Sequence, residues 1–273
     1  MREVKQSNRS LAGFWSPASL WLLASLFVSQ CETWCGFLEG RCAMDREKPL
    51  GMRIGENVFC AGYLAFALVA GCMLLGSPNA GAWARTCGAM TLLLGCGDAF
   101  HLIPRILINL RGTISDPAVL RRRSFALGLG NLVSSITMTL FYLLLFVGMW
   151  QMAHRGQDLV FSPLETGVFC TLCALAAVRI ALCLFPQNRW FDGKGDQAWG
   201  IYRNIPFVIM GVITVLYLVG WYGEWLMASL VCVSFACYLG VVLGARNNPM
   251  LGMLMIPKTV CYVWLISLLL ARM

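Results

Sequence analysis

The sequence predicts an all-α integral membrane bundle of eight transmembrane helices, or seven if the first apolar segment does not cross. Three observations predict it. Of 273 residues, 59% are hydrophobic and 12% charged, against roughly 45–50% and about 25% in soluble domains. Mean hydropathy is +0.70. The apolar residues are also gathered into runs near the roughly 20 that a helix needs to cross a bilayer. These properties exclude a disordered chain, a collagen and a coiled coil, and argue against an ordinary soluble enzyme.

The first run, 12–30, follows Arg2, Lys5 and Arg9 as a signal peptide would. Ser29, Gln30, Cys31 and Glu32 come next, with no small-x-small cleavage site, so a spanning helix is expected. Residues 31–56 carry both signs of charge and read as a loop with a short interfacial helix. The further runs are 57–76, 86–110, 125–150, 164–186, 201–220, 224–244 and 250–271. Connections are short except for 31–56 and 111–124, and Gly220 to Gly223 makes a tight hairpin. Residues 1–273 therefore form a single transmembrane domain, with no separate soluble domain, repeat or low-complexity tract.

A net charge of +8 would suggest nucleic acid in a soluble protein. Here the basic residues cluster between apolar runs, which makes them orientation signals and headgroup contacts, and no nucleic-acid partner is expected. Arg111, Arg121, Arg122, Arg123, Arg189, Lys194 and Arg246 fall on one side under strict alternation, as do Arg41, Arg46, Lys48 and Arg53. The positive-inside rule places that side in the cytoplasm. The location is thus a membrane, crossed several times, and the plasma membrane if the chain is bacterial. The 13 cysteines lie mostly within apolar runs, where cysteine behaves as a small hydrophobe. A thiol relay between Cys31–Cys35 and Cys170–Cys173 would join opposite sides of the membrane. With His101 and His154 as the only histidines, no metal site is expected, and no cofactor can be named.

Ionisable groups inside spanning helices are expensive and usually face the bundle interior. The third segment holds Asp98, His101, Arg105 and Asn109, spaced +3, +4 and +4 on one helical face. A carboxylate one turn from an imidazole suits general acid–base work, so Asp98 and His101 are the catalytic candidates. An internal packing ladder is the competing reading. Arg105 reaches headgroups by snorkelling. Arg179, Arg203, Asn204 and Lys258 belong to the same membrane half as Asn131, and would line a cationic site for a phosphate or carboxylate. Tyr142 and Tyr262, the latter one turn beyond Lys258, complete the substrate-binding set. Positive-inside bias alone also enriches cations at this depth. Lys258, more than two turns into its segment, is the best discriminator. Pro104, Pro206 and Pro257 each sit beside or near a basic residue and predict kinks. Gly128, Gly130 and the neighbouring serines read as helix-packing residues.

Gly97-Asp98 followed by Pro104, with the eight-helix count, resembles the lysoplasmalogenase-like family of membrane proteins. The resemblance implies an eight-helix enzyme hydrolysing the vinyl-ether bond of lysoplasmalogens. It covers one helix. The fourth segment lacks the family's His, and the seventh reads Ser234-Phe235 in place of Ser-Asp. It therefore speaks to substrate class more than to a catalytic carboxylate pair. The expected function is handling of an anionic amphiphile, a lipid foremost, by a hydrolase acting at the cytoplasmic leaflet. The alternative is a transporter or lipid-binding protein that uses the same residues. Oligomeric state is not readable.

Overall fold

The computed structural model describes residues 50–77, 81–111, 116–157, 159–192, 195–244 and 249–273. The first apolar segment and residues 31–49 lie outside them. The described helices are α1 (Leu50–Gly76), α2 (Gly81–Arg111), α3 (Pro117–Ala153), α4 (Pro163–Leu184), α5 (Gln197–Gly220), α6 (Trp225–Gly244) and α7 (Met255–Leu270). Short 3-10 turns at Pro186–Asn188 and Pro249–Leu254 precede α5 and α7. Among the described residues, seven helical stretches are long and apolar enough to cross a membrane. This is a multi-pass membrane bundle.

Helix starts follow local chemistry. Asp116 caps α3 by accepting from the Ala118 N–H at 2.9 Å, with Pro117 pre-set for the first turn. Ser162 and Glu165 form a reciprocal capping box at α4, again with proline next. Asp196 accepts from the Trp199 N–H at 3.0 Å to start α5. Between α5 and α6, Gly223 turns the chain at φ +64, a backbone conformation that side chains other than glycine resist.

Two helices, α1 and α3, begin well before their apolar runs, by seven and eight residues. α1 starts at Leu50 and takes in Arg53, Glu56 and Asn57, because these polar residues find partners on α2. α3 starts at Pro117 and carries Arg121 and Arg122 exposed on its first turns. At 37 residues it is about 55 Å long at 1.5 Å per residue, well beyond the roughly 30 Å of hydrocarbon. Its arginines thus extend past the apolar layer.

The seven helices close a ring. α1 packs on α2, α2 on α3, α3 on α4 and α5, α4 on α5, α5 on α6, and α6 on α7, which returns to α1 and touches α2. Short connections make sequence neighbours antiparallel. One end therefore gathers Arg53, Arg105, Arg111, Arg121, Arg189 and Arg203, and is called the basic end below. Large apolar side chains such as Leu68, Val69, Phe100, Ile103, Val178, Ile209, Val212 and Leu216 point outward, as lipid contact requires. A buried aromatic core around Phe141, Tyr142, Phe146, Phe207 and Tyr217 fills the centre.

The α2–α3 contact positions the polar interior. A Cβ on Gly97 would overlap the Thr137 side chain, and one on Gly130 would overlap the Phe100 carbonyl and the His101 Cα. The two backbones therefore meet on either side of Asp98. Gly130→Leu is expected to destabilise the bundle by about 1–3 kcal/mol through overpacking, read as a lower unfolding midpoint in detergent. Gly62→Leu should leave that midpoint unchanged, because Gly62 is exposed and nothing lies within 4 Å of its added Cβ.

Candidate functional site

With the helices held this closely, Asp98 of α2 meets hydroxyls from both neighbours. Tyr63 of α1 donates to Oδ2 at 2.8 Å, and Ser134 of α3 donates to Oδ1 at 2.9 Å. His101, one turn on, is partly buried and within electrostatic reach of Asp98, Arg105 and Lys258. Its Nδ1 is buried and accepts or donates no hydrogen bond among the described residues. Towards the basic end the same face continues as an α1–α2 ladder. Arg105 is ion-paired with Glu56, the Arg53 guanidinium donates to the Asn109 carbonyl, and Asn109 Nδ2 donates to Asn57 Oδ1 at 3.1 Å. Arg105 is thus engaged within the protein.

A second polar group is carried by α4, α5, α6 and α7. Arg179 is 1% exposed, with its guanidinium 3.3 Å from the Phe207 ring centre and Nη1 donating to Thr139 Oγ1 at 2.9 Å. Its Nε is buried without a hydrogen bond. Arg203 lies 4.0 Å over the Trp190 ring and donates to Asn188 Oδ1 at 2.7 Å. Asn188 is itself fully buried, and its amide donates to the Leu182 and Phe185 carbonyls at the end of α4. Asn204 accepts from Tyr238 Oη at 2.7 Å. Lys258 Nζ lies 5.1 Å from the Tyr262 ring centre and 5.7 Å from that of Tyr238. The Tyr262 hydroxyl meets those of Tyr142 and Ser234 at 3.3 and 3.2 Å. Lys258 is carried by α7, which packs on α6 and α1 and touches α2, the helix of Asp98.

Among the described residues, Arg179, Arg203 and Lys258 form no ion pair with a carboxylate. Rings and hydroxyls stand where acids would be expected in a structural salt-bridge network. Cation–π contact recovers part of the desolvation cost but supplies no neutralising charge.

The structure draws together Asp98, His101, Tyr142, Arg179, Asn204, Lys258 and Tyr262 around neighbouring interior faces. Arg203 holds the α4–α5 connection, and Asn131 is exposed on α3. Tyr63, Ser134, Thr139, Asn188 and Tyr238 enter as partners that residue type alone does not flag. The partners of Ser134 and Thr139 are not readable from spacing, because Asp98 and Arg179 are far away in sequence.

Glu165 is a further buried acid at the opposite end. It accepts from the Ser162 N–H at 2.8 Å and from Tyr217 Oη at 3.1 Å, and lies 3.8 Å from His154 Nε2. The S-P-L-E spacing signals this capping role. Tyr222, in the adjoining turn, packs edge-on against Tyr217, and burial pushes its phenol above the ordinary range. A recess of about 320 Å3 opens nearby, lined by Trp83, Gln151, His154 and Arg155. Among the described residues, no three His, Cys, Asp or Glu side chains come together as a metal would require.

No protein-family model, curated protein or solved structure matches this chain.

A buried cation without a carboxylate is costly to fold around, and its replacement by an apolar side chain of similar size is often neutral or stabilising. Arg179→Met is therefore expected to unfold in detergent at the same temperature as the parent or higher. A fall of more than about 3 kcal/mol, the scale for breaking a buried pair, would identify Arg179 as structural.

Proposed function

We propose that this protein binds the anionic group of an amphiphile, a membrane lipid foremost, in the membrane half nearest its basic end. The single observation that carries this reading is the charge imbalance of the interior. Arg179, Arg203 and Lys258 lie within one bundle of low dielectric, and among the described residues none of them forms an ion pair with a carboxylate. Charges in such surroundings are paired or functional. A phosphate or carboxylate headgroup would supply the missing negative charge, while the acyl chain lay along the apolar exterior. By the positive-inside rule, the leaflet concerned is the cytoplasmic one.

The burial of Arg179 supports a site that is closed at rest and opens to load. Pro206, three residues beyond Arg203, interrupts the hydrogen-bond ladder of α5, whereas Pro257 falls in the first turn of α7, where no ladder bond is lost and the kink expected from sequence does not arise. The break in α5 lets that helix bend around a ligand. Transport or lipid sensing follows naturally from that arrangement.

Hydrolysis is the second reading, and the free Nδ1 of His101 beside Asp98 favours it. In that reading the imidazole takes a proton from water, while Asp98 stabilises the imidazolium. Tyr63 and Ser134 would fix the carboxylate, and the cations would hold the headgroup. A lysoplasmalogenase-like activity is the specific form that the Gly97-Asp98 resemblance suggests.

Mass spectrometry of a lipid mixture incubated with the purified protein tests both. Retention of an anionic lipid by the parent, with at least a tenfold loss in Lys258→Ala, is the expected result for binding. A new product formed by the parent and abolished in Asp98→Asn establishes a hydrolase. Neither retention nor turnover overturns the lipid reading.

A further inference from the structure

We infer that Arg179 recognises the anion through one edge of its guanidinium, formed by Nε–H and the adjacent Nη2–H. It thereby selects a group that offers two oxygens side by side, a carboxylate or a phosphate. This rests on the proposed anion site and adds which atoms make the contact and what shape of anion they accept. Arg179 is 1% exposed, yet of its nitrogens Nη1 alone donates a hydrogen bond among the described residues, to Thr139 Oγ1 at 2.9 Å. Nε is buried and has no partner. A guanidinium holds its N–H donors in a fixed fork, and a donor left unmet in an apolar interior is costly. The unmet donors are not scattered. Thr139 takes the Nη1 corner, so Nε and Nη2, whose N–H bonds run parallel, are left together as a free edge.

The plane of that edge is fixed as well. The Phe207 ring centre lies 3.3 Å from the guanidinium carbon, the separation of stacked groups. Thr139 is itself anchored, donating to the Ser135 carbonyl at 2.8 Å. Ring and hydroxyl come from α5 and α3, so two neighbouring helices hold the fork in place before a ligand arrives. Two parallel N–H groups in one plane match the two oxygens of a carboxylate or phosphate, and such charge-assisted bonds are roughly twice as strong as neutral ones. A lysine at this position would carry the charge without the fork. No carboxylate of the described residues pairs with Arg179, so the edge is left for a partner from outside.

Arg203 repeats the pattern nearer the basic end. Trp190 covers its face at 4.0 Å, Asn188 takes Nη1 at 2.7 Å, and its Nε makes no hydrogen bond. Arg203 is partly exposed, and is therefore the edge that an incoming anion meets first. Phe207 follows Pro206 directly, so the break in the α5 ladder lies at the depth where room beside Arg179 has to open.

The probes are undecanoate and undecyl phosphate, each carrying a dansyl group at its far end. They are titrated against the full chain in phosphatidylcholine nanodiscs, with empty nanodiscs as the blank. For whichever probe the parent binds, Arg179→Lys is expected to be weaker by at least about tenfold, and Arg179→Met likewise. Should Arg179→Lys keep the parent's affinity, charge alone suffices; the edge is overturned and the anion site stands. A second measurement reads the contact itself, by nuclear magnetic resonance of protein isotopically labelled at arginine Nε. Saturation with the bound probe is expected to shift one Nε–H resonance, the one missing from Arg179→Met. If that resonance stays where it was, the inference fails, and this decides the matter where Arg179→Lys does not fold. An Arg179→Met that does not fold makes Arg179 structural and also overturns it. No binding of either probe by the parent overturns both the edge and the anion site.

Discussion

Positive charge inside an apolar bundle has to be neutralised, and the interior of this protein is organised around that demand. Arg179, Arg203 and Lys258 are each laid against an aromatic ring rather than a carboxylate. A ring offers its negative face at little desolvation cost, whereas a matching acid would cost its own burial energy as well. The result is a set of cations that are tolerated without being cancelled. The surrounding hydroxyl and amide groups, from Thr139 to Asn188 and Tyr238, orient these cations or their neighbours and likewise leave the charge in place.

That arrangement contrasts with the treatment of charge elsewhere in the molecule. Arg105 near the basic end is given Glu56 directly across the α1–α2 contact. At the other end, Glu165 closes a capping box and receives the Tyr217 hydroxyl. In both places a charge is matched by a partner from a neighbouring part of the fold. Arg179 and Lys258, without a carboxylate partner among the described residues, stand apart from that pattern.

The seven described spans were legible because a run of about 20 apolar residues matches the thickness of a bilayer and exceeds what most soluble cores bury in one helix. Helix starts were less so, since polar residues conventionally assigned to loops can be absorbed when a neighbouring helix offers partners, as Arg53 and Asn57 are. On α2, the 3–4 spacing correctly set Asp98 and His101 on one inward face. On α3 the same spacing puts Asn131, Ser135, Thr139 and Tyr142 near one face, yet Asn131 is exposed. Periodicity gives faces but not which face is covered at each depth, and here that depends on where Gly130 brings α2 against α3. Arg203 shows a different blind spot. Its partner Asn188 is placed by the fold of the α4–α5 connection, which no helical spacing encodes.

The same α2–α3 contact also explains why the carboxylate sits where it does. Glycines at 97 and 130 bring two backbones together on either side of it. Tyr63 and Ser134 reach that carboxyl group from opposite neighbours, so the two oxygens of Asp98 tie α1 and α3 to α2 through directed hydroxyls. Glu56 and Arg105 make the corresponding α1–α2 tie one step nearer the basic end, there with a cation in place of the hydroxyls. The glycines and the acid thus act together: the first lets the backbones approach, and the second gives the closed contact its polar partners.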